Sequence, residues 1–260
     1  MSIWITELGK GSLAVKDLFD TAGVRTTYGS AIFADHVPSE SAGPMARDVE
    51  GCERMMKALV PGFSSADVSL ADVRIGVAWT ERADPLVRAR VEEVAAGFER
   101  VEVPWPDGVY PAFSREIVEV HADLYPANRD RYDPSIVSKM DKARAVTDEA
   151  VEAARAERDR YRERIAALAV DLLLMPTIPM VAPPVGVGDL ALRERMIELT
   201  FPWNVTGSPA LALPCGPAED GLPASLQVIG RPGEDALVLA AGRALSERVH
   251  AAHGRDAPPA

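Results

Sequence analysis

Arg74-Ile-Gly-Val-Ala-Trp-Thr80 is a continuous β-rich run, and Asp84-Pro85 follows it closely. After the proline, Leu86, Val87, Val91, Val94 and Phe98 mark the inner face of a helix, and the short apolar run Val101 to Val103 comes next. A strand, a helix and a second strand in that order form a βαβ-like pattern, which predicts an α/β architecture. Further along, residues 134–169 are strongly helical, with Glu157 and Arg160, and Asp159 and Arg162, paired three apart on an exposed face. Uncapped helices above about 25 residues are unusual in globular domains, so this stretch is expected to break at least once. Asp171-Leu-Leu-Leu-Met175 reads as a buried strand ended by Pro176. Ala210 to Pro214 and Ser225 to Ile229 read as a hairpin around a Gly/Pro/Asp turn, and Asp235 to Val249 as a last helix. Toward the amino terminus, Met45, Val49, Cys52, Met55, Met56 and Leu59 predict a helix stopped by Pro61-Gly62. Leu13-Ala-Val15 predicts a short buried strand that ends at Lys16.

The 260 residues include 28 Lys+Arg and 39 Asp+Glu, a net charge of −11. An electrostatic nucleic-acid binder needs clustered basic surface to displace counterions, so nucleic acid is not an expected partner. With 47% hydrophobic and 26% charged residues, the composition is that of a globular protein. No apolar run approaches the roughly 20 residues of a membrane helix, and the first residues lack a signal-peptide pattern, so the expectation is a cytoplasmic chain without a membrane partner. Cys52 and Cys215 are too few for a disulfide framework and have no CxxC partner, so both read as buried reduced thiols.

Several patterns carry bland readings. Gly186-Val-Gly-Asp-Leu-Ala191 matches a dinucleotide fingerprint in letters, but the prolines before it leave no strand to feed it. Gly9-Lys-Gly-Ser12 lacks the spacing of a phosphate loop and reads as a turn. His250 and His253 lack the further ligands a metal site would need, so no metal and no cofactor are expected. His36 and His121 read as structural, and the sequon Asn204-Val-Thr206 is idle without a secretory route. Lys16 is the exception. A lysine at the end of an apolar strand snorkels, pairs with an acid such as Asp17 or Asp20, or is held neutral for chemistry.

Five segments decide between these readings: Leu13-Ala-Val-Lys16-Asp-Leu-Phe-Asp20 through Thr27-Tyr-Gly-Ser30; Gly43-Pro-Met-Ala-Arg47; Asp171-Leu-Leu-Leu-Met-Pro176-Thr177-Ile-Pro179; Thr200-Phe-Pro-Trp-Asn204-Val-Thr-Gly207-Ser-Pro209; and Gly221-Leu-Pro223-Ala-Ser-Leu-Gln227-Val-Ile-Gly230. In content and order they resemble the amidase signature family. The resemblance covers most of the chain. It implies a single domain over residues 1–260, an amidase-signature-type mixed β-sheet flanked by helices, and hydrolysis of a carbon–nitrogen amide bond by a Ser, cis-Ser, Lys triad. In that chemistry a desolvated lysine accepts a proton through the bridging serine while backbone amides stabilise the oxyanion. Lys16 matches the triad lysine.

The two serines have no match. Tyr28-Gly-Ser-Ala-Ile-Phe-Ala-Asp-His-Val-Pro38 runs straight into Ser39-Glu-Ser-Ala-Gly43-Pro, where the family carries a long segment with a GGSSGGS loop, and neither Gly-Gly-Ser nor Ser-Gly-Gly occurs anywhere. The seam lies near residues 38–41. The fold is therefore expected to be incomplete, with central strands deleted, apolar faces and strand edges exposed, and homo-oligomers or aggregation through those edges. The expected ligand is a small amide, and the chain is expected to be inactive as written. A binding or assembly module and a non-functional fragment are the rival readings. Ser30 and Ser208 are the candidate replacement serines, with a loop hydroxyl and a turn residue as their plainer readings, and Ser30 is also a candidate substrate-binding residue. Asn204 and Gln227 read equally as pocket hydrogen-bonders and as caps on backbone carbonyls. The tail 250–260 is expected to fray.

Overall fold

Leu172–Pro176 forms β3, the centre of the sheet, and all five of its residues are buried. A strand covered on both faces cannot alternate polar with apolar, which is why the run reads Leu-Leu-Leu-Met. Full burial of one such side chain contributes about 1.5–3 kcal/mol. The computed structural model describes residues 44–132, 134–184 and 190–253. Lys16, Ser30 and the seam near 38–41 lie outside the described residues.

The elements are α1 (Val49–Leu59), β1 (Ile75–Val77), α2 (Pro85–Val94), β2 (Glu99–Arg100), α3 (Tyr110–Val120), α4 (Leu124–Asn128), α5 (Pro134–Arg144), α6 (Asp148–Ala166), β3, α7 (Leu190–Ile197), α8 (Phe201–Thr206), β4 (Ala210–Pro217), β5 (Pro223–Ile229) and α9 (Asp235–His253). The strands are ordered β2-β1-β3-β5-β4. β1 lies parallel to both β2 and β3, with Gly76 opposite Glu99 and Leu173. β5 runs antiparallel to β3 and β4, with Leu173 and Ala210 both opposite Ile229. The sheet is mixed, with a genuine βαβ unit at β1-α2-β2. Gly76 is required there, because a Cβ would meet Val101 Cγ2 at 2.5 Å.

The described residues form two compact units. The first comprises 44–63 and 107–159, and the second 64–106 and 160–253. In the first, α3 packs on α5. The Tyr125 hydroxyl donates to Asp141 Oδ1 at 3.1 Å, Arg158 pairs with Glu116 at 2.5 Å, and His121 Nδ1 lies 3.0 Å from the Tyr132 hydroxyl. α1 is capped by Asp48, whose Oδ1 accepts from Gly51 N at 2.6 Å.

In the second unit, α2 and α9 pack against β4 and β5. Val87, Val91 and Val94 of α2, and Val238, Ala241, Leu245 and Val249 of α9, recur at steps of three and four and are buried. Leu86, expected on the inner face, is exposed, because the helix starts one residue before it and turns it outward. On the other sheet face Trp79, Leu173, Met175, Leu199, Trp203 and Ile229 form a cluster. β1 stops where Trp79 adopts a left-handed φ of 53°, a conformation costing about 1–2 kcal/mol in a non-glycine residue. Its indole N–H donates to Val103 O at 3.2 Å.

Two charged groups staple the edges of this core. Arg74 grips Asp171 through Nε at 3.0 Å and Nη2 at 2.6 Å while its backbone N–H donates to Oδ2 at 3.0 Å, joining the starts of β1 and β3. Glu92 receives hydrogen bonds from Thr80, Arg100 and Arg88. Burial, which alone would raise its carboxyl, is outweighed by these donors, and the group sits at about 2. Both cysteines are buried and neither is in a disulfide. Desolvation pushes the Cys215 thiol up to about 12.

The long helical stretch breaks between Arg144 and Asp148, as its length requires. α9 continues through His253, so the first residues of the stretch expected to fray are helical. Among the described residues no helix is long and apolar enough to cross a membrane.

Candidate functional site

In open sheets the ends of parallel strands are where side chains can converge on a ligand, and the carboxyl end of β3 has this position beside β1. Pro176 cannot donate to the ladder and ends the strand. The next residue, Thr177, then turns back onto β5: its N–H donates to Ser225 O at 2.8 Å, and its Oγ1 lies 2.8 Å from Ser225 Oγ. This half-buried hydroxyl pair joins two segments 48 residues apart. Neither hydroxyl is hydrogen-bonded to a lysine, histidine or carboxylate among the described residues, so the pair carries no activated nucleophile of its own.

Gln227 lies beneath it, with Met175 opposite in the ladder. Its side chain is 2% exposed, and Nε2 donates to Pro176 O at 3.1 Å and Leu199 O at 2.8 Å. Both amide protons are therefore spent on carbonyls at the end of β3 and at the approach to α8. Asn204 points elsewhere: it is exposed on α8.

α8 is opened by Pro202 in its first turn and closed by Gly207 in the left-handed conformation, φ 71°. It leads from Leu199, tied to the carboxyl end of β3 through Gln227, back to Pro209, whose carbonyl accepts from Gly230 N at 3.0 Å beyond the end of β5. Thr206 Oγ1 lies 3.1 Å from Trp203 O and 2.8 Å from Ser208 Oγ. With the Thr206 proton directed to the carbonyl, Ser208 donates to Thr206.

The structure thus brings together Gln227, Thr177 and Ser225, and places Asn204 outside that group. Lys16 and Ser30 lie outside the described residues. The hydroxyl pair was not singled out from sequence, although Thr177 and Ser225 stand in two of the quoted motifs; pairing those motifs in antiparallel register would have found it. Among the described residues no group of three or more His, Cys, Asp or Glu side chains is arranged to hold a metal ion.

A family model for amidases matches residues 39–239, more than half of the sequence. The chain belongs to the amidase family. It is 31% identical over 223 residues to the putative amidase AmiD of Mycobacterium tuberculosis, covering 76% of this chain and 46% of that protein. It is 30% identical over 274 residues to the 1-carboxybiuret hydrolase subunit AtzE of Pseudomonas sp., covering 91% of this chain and 58% of the relative. A crystallised amidase superposes with a TM-score of 0.70 at 29% identity, over 85% of this chain and 57% of that one. The chain spans about half the length of the curated relatives it matches. Its mixed sheet flanked by helices is the amidase-family arrangement expected from the motifs.

Proposed function

We propose that this chain carries the sheet and pocket frame of a carbon–nitrogen hydrolase, with Lys16 as its triad lysine, but does not turn over small amides as the sequence stands. The observation that carries this reading is that no Gly-Gly-Ser or Ser-Gly-Gly occurs in the 260 residues. The match to AtzE supports it. That alignment runs over 274 positions against a chain of 260 residues, so at least 14 positions of the relative have no residue opposite them here. Without a nucleophilic serine and its oxyanion loop, Lys16 has no hydroxyl to deprotonate, and residues that act as a unit lose almost everything when part of the unit is missing. Among the described residues the Thr177–Ser225 pair has no base beside it, so it does not substitute.

A second reading, a module that binds or assembles without turnover, is favoured by AtzE being a subunit of its hydrolase. The test is hydrolysis of a panel of aryl and aliphatic amides by purified protein, with Lys16→Ala as control and the light-scattering mass taken on the same sample. The expected result is no turnover above the control. Turnover abolished by Lys16→Ala overturns the proposal. Inactivity of a folded species of defined mass favours the binding or assembly reading, and inactivity of an aggregate favours a non-functional fragment.

A further inference from the structure

β1 has a parallel neighbour on each side, and the chain leaves the carboxyl ends of β1 and β2 toward opposite faces of the sheet. After β1 it turns at Thr80, whose Oγ1 donates to Glu92 Oε1 of α2 at 2.8 Å. After β2 it runs through Val103 and Trp105, which pack with the Trp203 cluster on the other face. The ladder between the two strands closes with Val101 N–H donating to Val77 O at 3.0 Å, and beyond it the left-handed Trp79 turns the chain away. Such a reversal at the carboxyl ends of parallel strands is where open sheets leave a crevice for ligands. Here the crevice measures about 470 Å³.

Val101, Val103 and the half-buried Trp105 give the crevice apolar surface, and Glu81, Arg82, Arg100 and Glu102 give it charge. Both arginines are neutralised by carboxylates that do not line it. Arg82 Nη1 pairs with Glu198 Oε1 at 2.7 Å, while its guanidinium carbon lies 3.9 Å from the Trp105 ring centroid. Arg100 pairs with Glu92, and its Nη1 donates to Thr80 Oγ1 at 3.0 Å. Glu81 and Glu102 are exposed, and neither has an ion-pair partner among the described residues. The charge left over at the crevice is therefore negative, in a chain whose net charge is −11. An anion is repelled there, whereas a cation is attracted by the carboxylates and its apolar body is covered by the valines and the indole.

We propose that the crevice between the carboxyl ends of β1 and β2 binds a small organic monocation, its ammonium group paired with Glu81 and Glu102 and its ring-sized apolar body against Trp105. The site is built wholly within the second unit, and binding there does not depend on Lys16 or on turnover.

The probe is benzylamine, which is protonated at neutral pH, compared with its neutral isostere benzyl alcohol and with anionic benzoate. The readout is the Trp105 indole N–H signal of protein labelled with ¹⁵N-tryptophan, assigned through Trp105→Phe. Benzylamine is expected to shift this signal saturably in the wild type and in Lys16→Ala, to leave Trp203 in place, and to bind more weakly as salt rises. Benzyl alcohol is expected to bind about fivefold more weakly, the equivalent of losing exposed ion pairs, and benzoate more weakly still. The double variant Glu81→Gln with Glu102→Gln removes only exposed charge and is expected to erase the preference for the amine over the alcohol. A Trp105 signal unmoved at the highest soluble concentration of benzylamine overturns the proposal, as does the alcohol binding as tightly to the wild type, or a preference that survives the double variant. Because no hydrolysis is read, failure here leaves the inactivity of the amidase frame untouched, and turnover of amides leaves this site untouched.

Discussion

The two ends of β3 differ in how their polar atoms are satisfied. At the carboxyl end, Gln227 donates to two carbonyls and Thr177 is paired with Ser225. At the amino end, the buried Trp203 N–H has no acceptor among the described residues, and a cavity of about 250 Å³ lies nearby. A strand buried along its whole length thus has one end whose polar side chains are bonded internally and one end with an unfilled space beside it. The sheet provides rigidity to both, and only the local hydrogen bonding distinguishes them.

The largest effect is expected midway between the ends. Leu174→Ala removes a side chain with no exposure in the middle of the central strand, and urea denaturation should show a loss of about 2–5 kcal/mol. This sets the scale for the ends. Gln227→Leu leaves the carbonyls of Pro176 and Leu199 without their donor and should cost about 2 kcal/mol. Trp203→Phe removes a donor that has no acceptor among the described residues and should cost less than about 1 kcal/mol, mostly for lost packing. Equal losses from these two variants would break the contrast.

The smallest expected effect is electrostatic. Glu92 sits at about 2 against an ordinary 4.5, so the unfolded chain takes up its proton first as pH falls. Its contribution is complete above about pH 4.5 and disappears as pH falls toward about 2. The hydrogen bond from Arg74 holds Asp171 low as well, in the same direction. Because Glu92 is partly exposed, the loss should be below about 1 kcal/mol. Glu92→Gln should lower stability at neutral pH by that amount and converge with the wild type near pH 2, which flattens the acid limb of a stability-versus-pH curve.

Much of the frame was legible in the residues. The Leu-Leu-Leu-Met run, the hairpin and the valine spacing of α2 all gave local signals at the right period. The second strand of the βαβ unit was placed two residues late, since Glu99 and Arg100 pair in the ladder although their side chains are exposed, and apolarity had pointed to Val101. α8 escaped because a six-residue helix opening with Phe-Pro has too few turns to display a period. Gln227 could be read as a cap, but its acceptors lie 51 and 28 residues away, and no local pattern names them. The motifs fixed the family. The cavity could not be foreseen, because a void arises where side chains from α6, β3, α8 and β5 fail to fill the space between them.

Cys215 brings a consequence of a different kind. With no exposure and a thiol pushed up to about 12, it offers alkylating reagents no thiolate while the hairpin holds. The chain has only one other cysteine, Cys52, which is also buried. Modification of Cys215 by thiol reagents is therefore expected to wait on a local opening of the core around β4. The wild-type sequence carries its own timer for the sheet, with no label to be introduced.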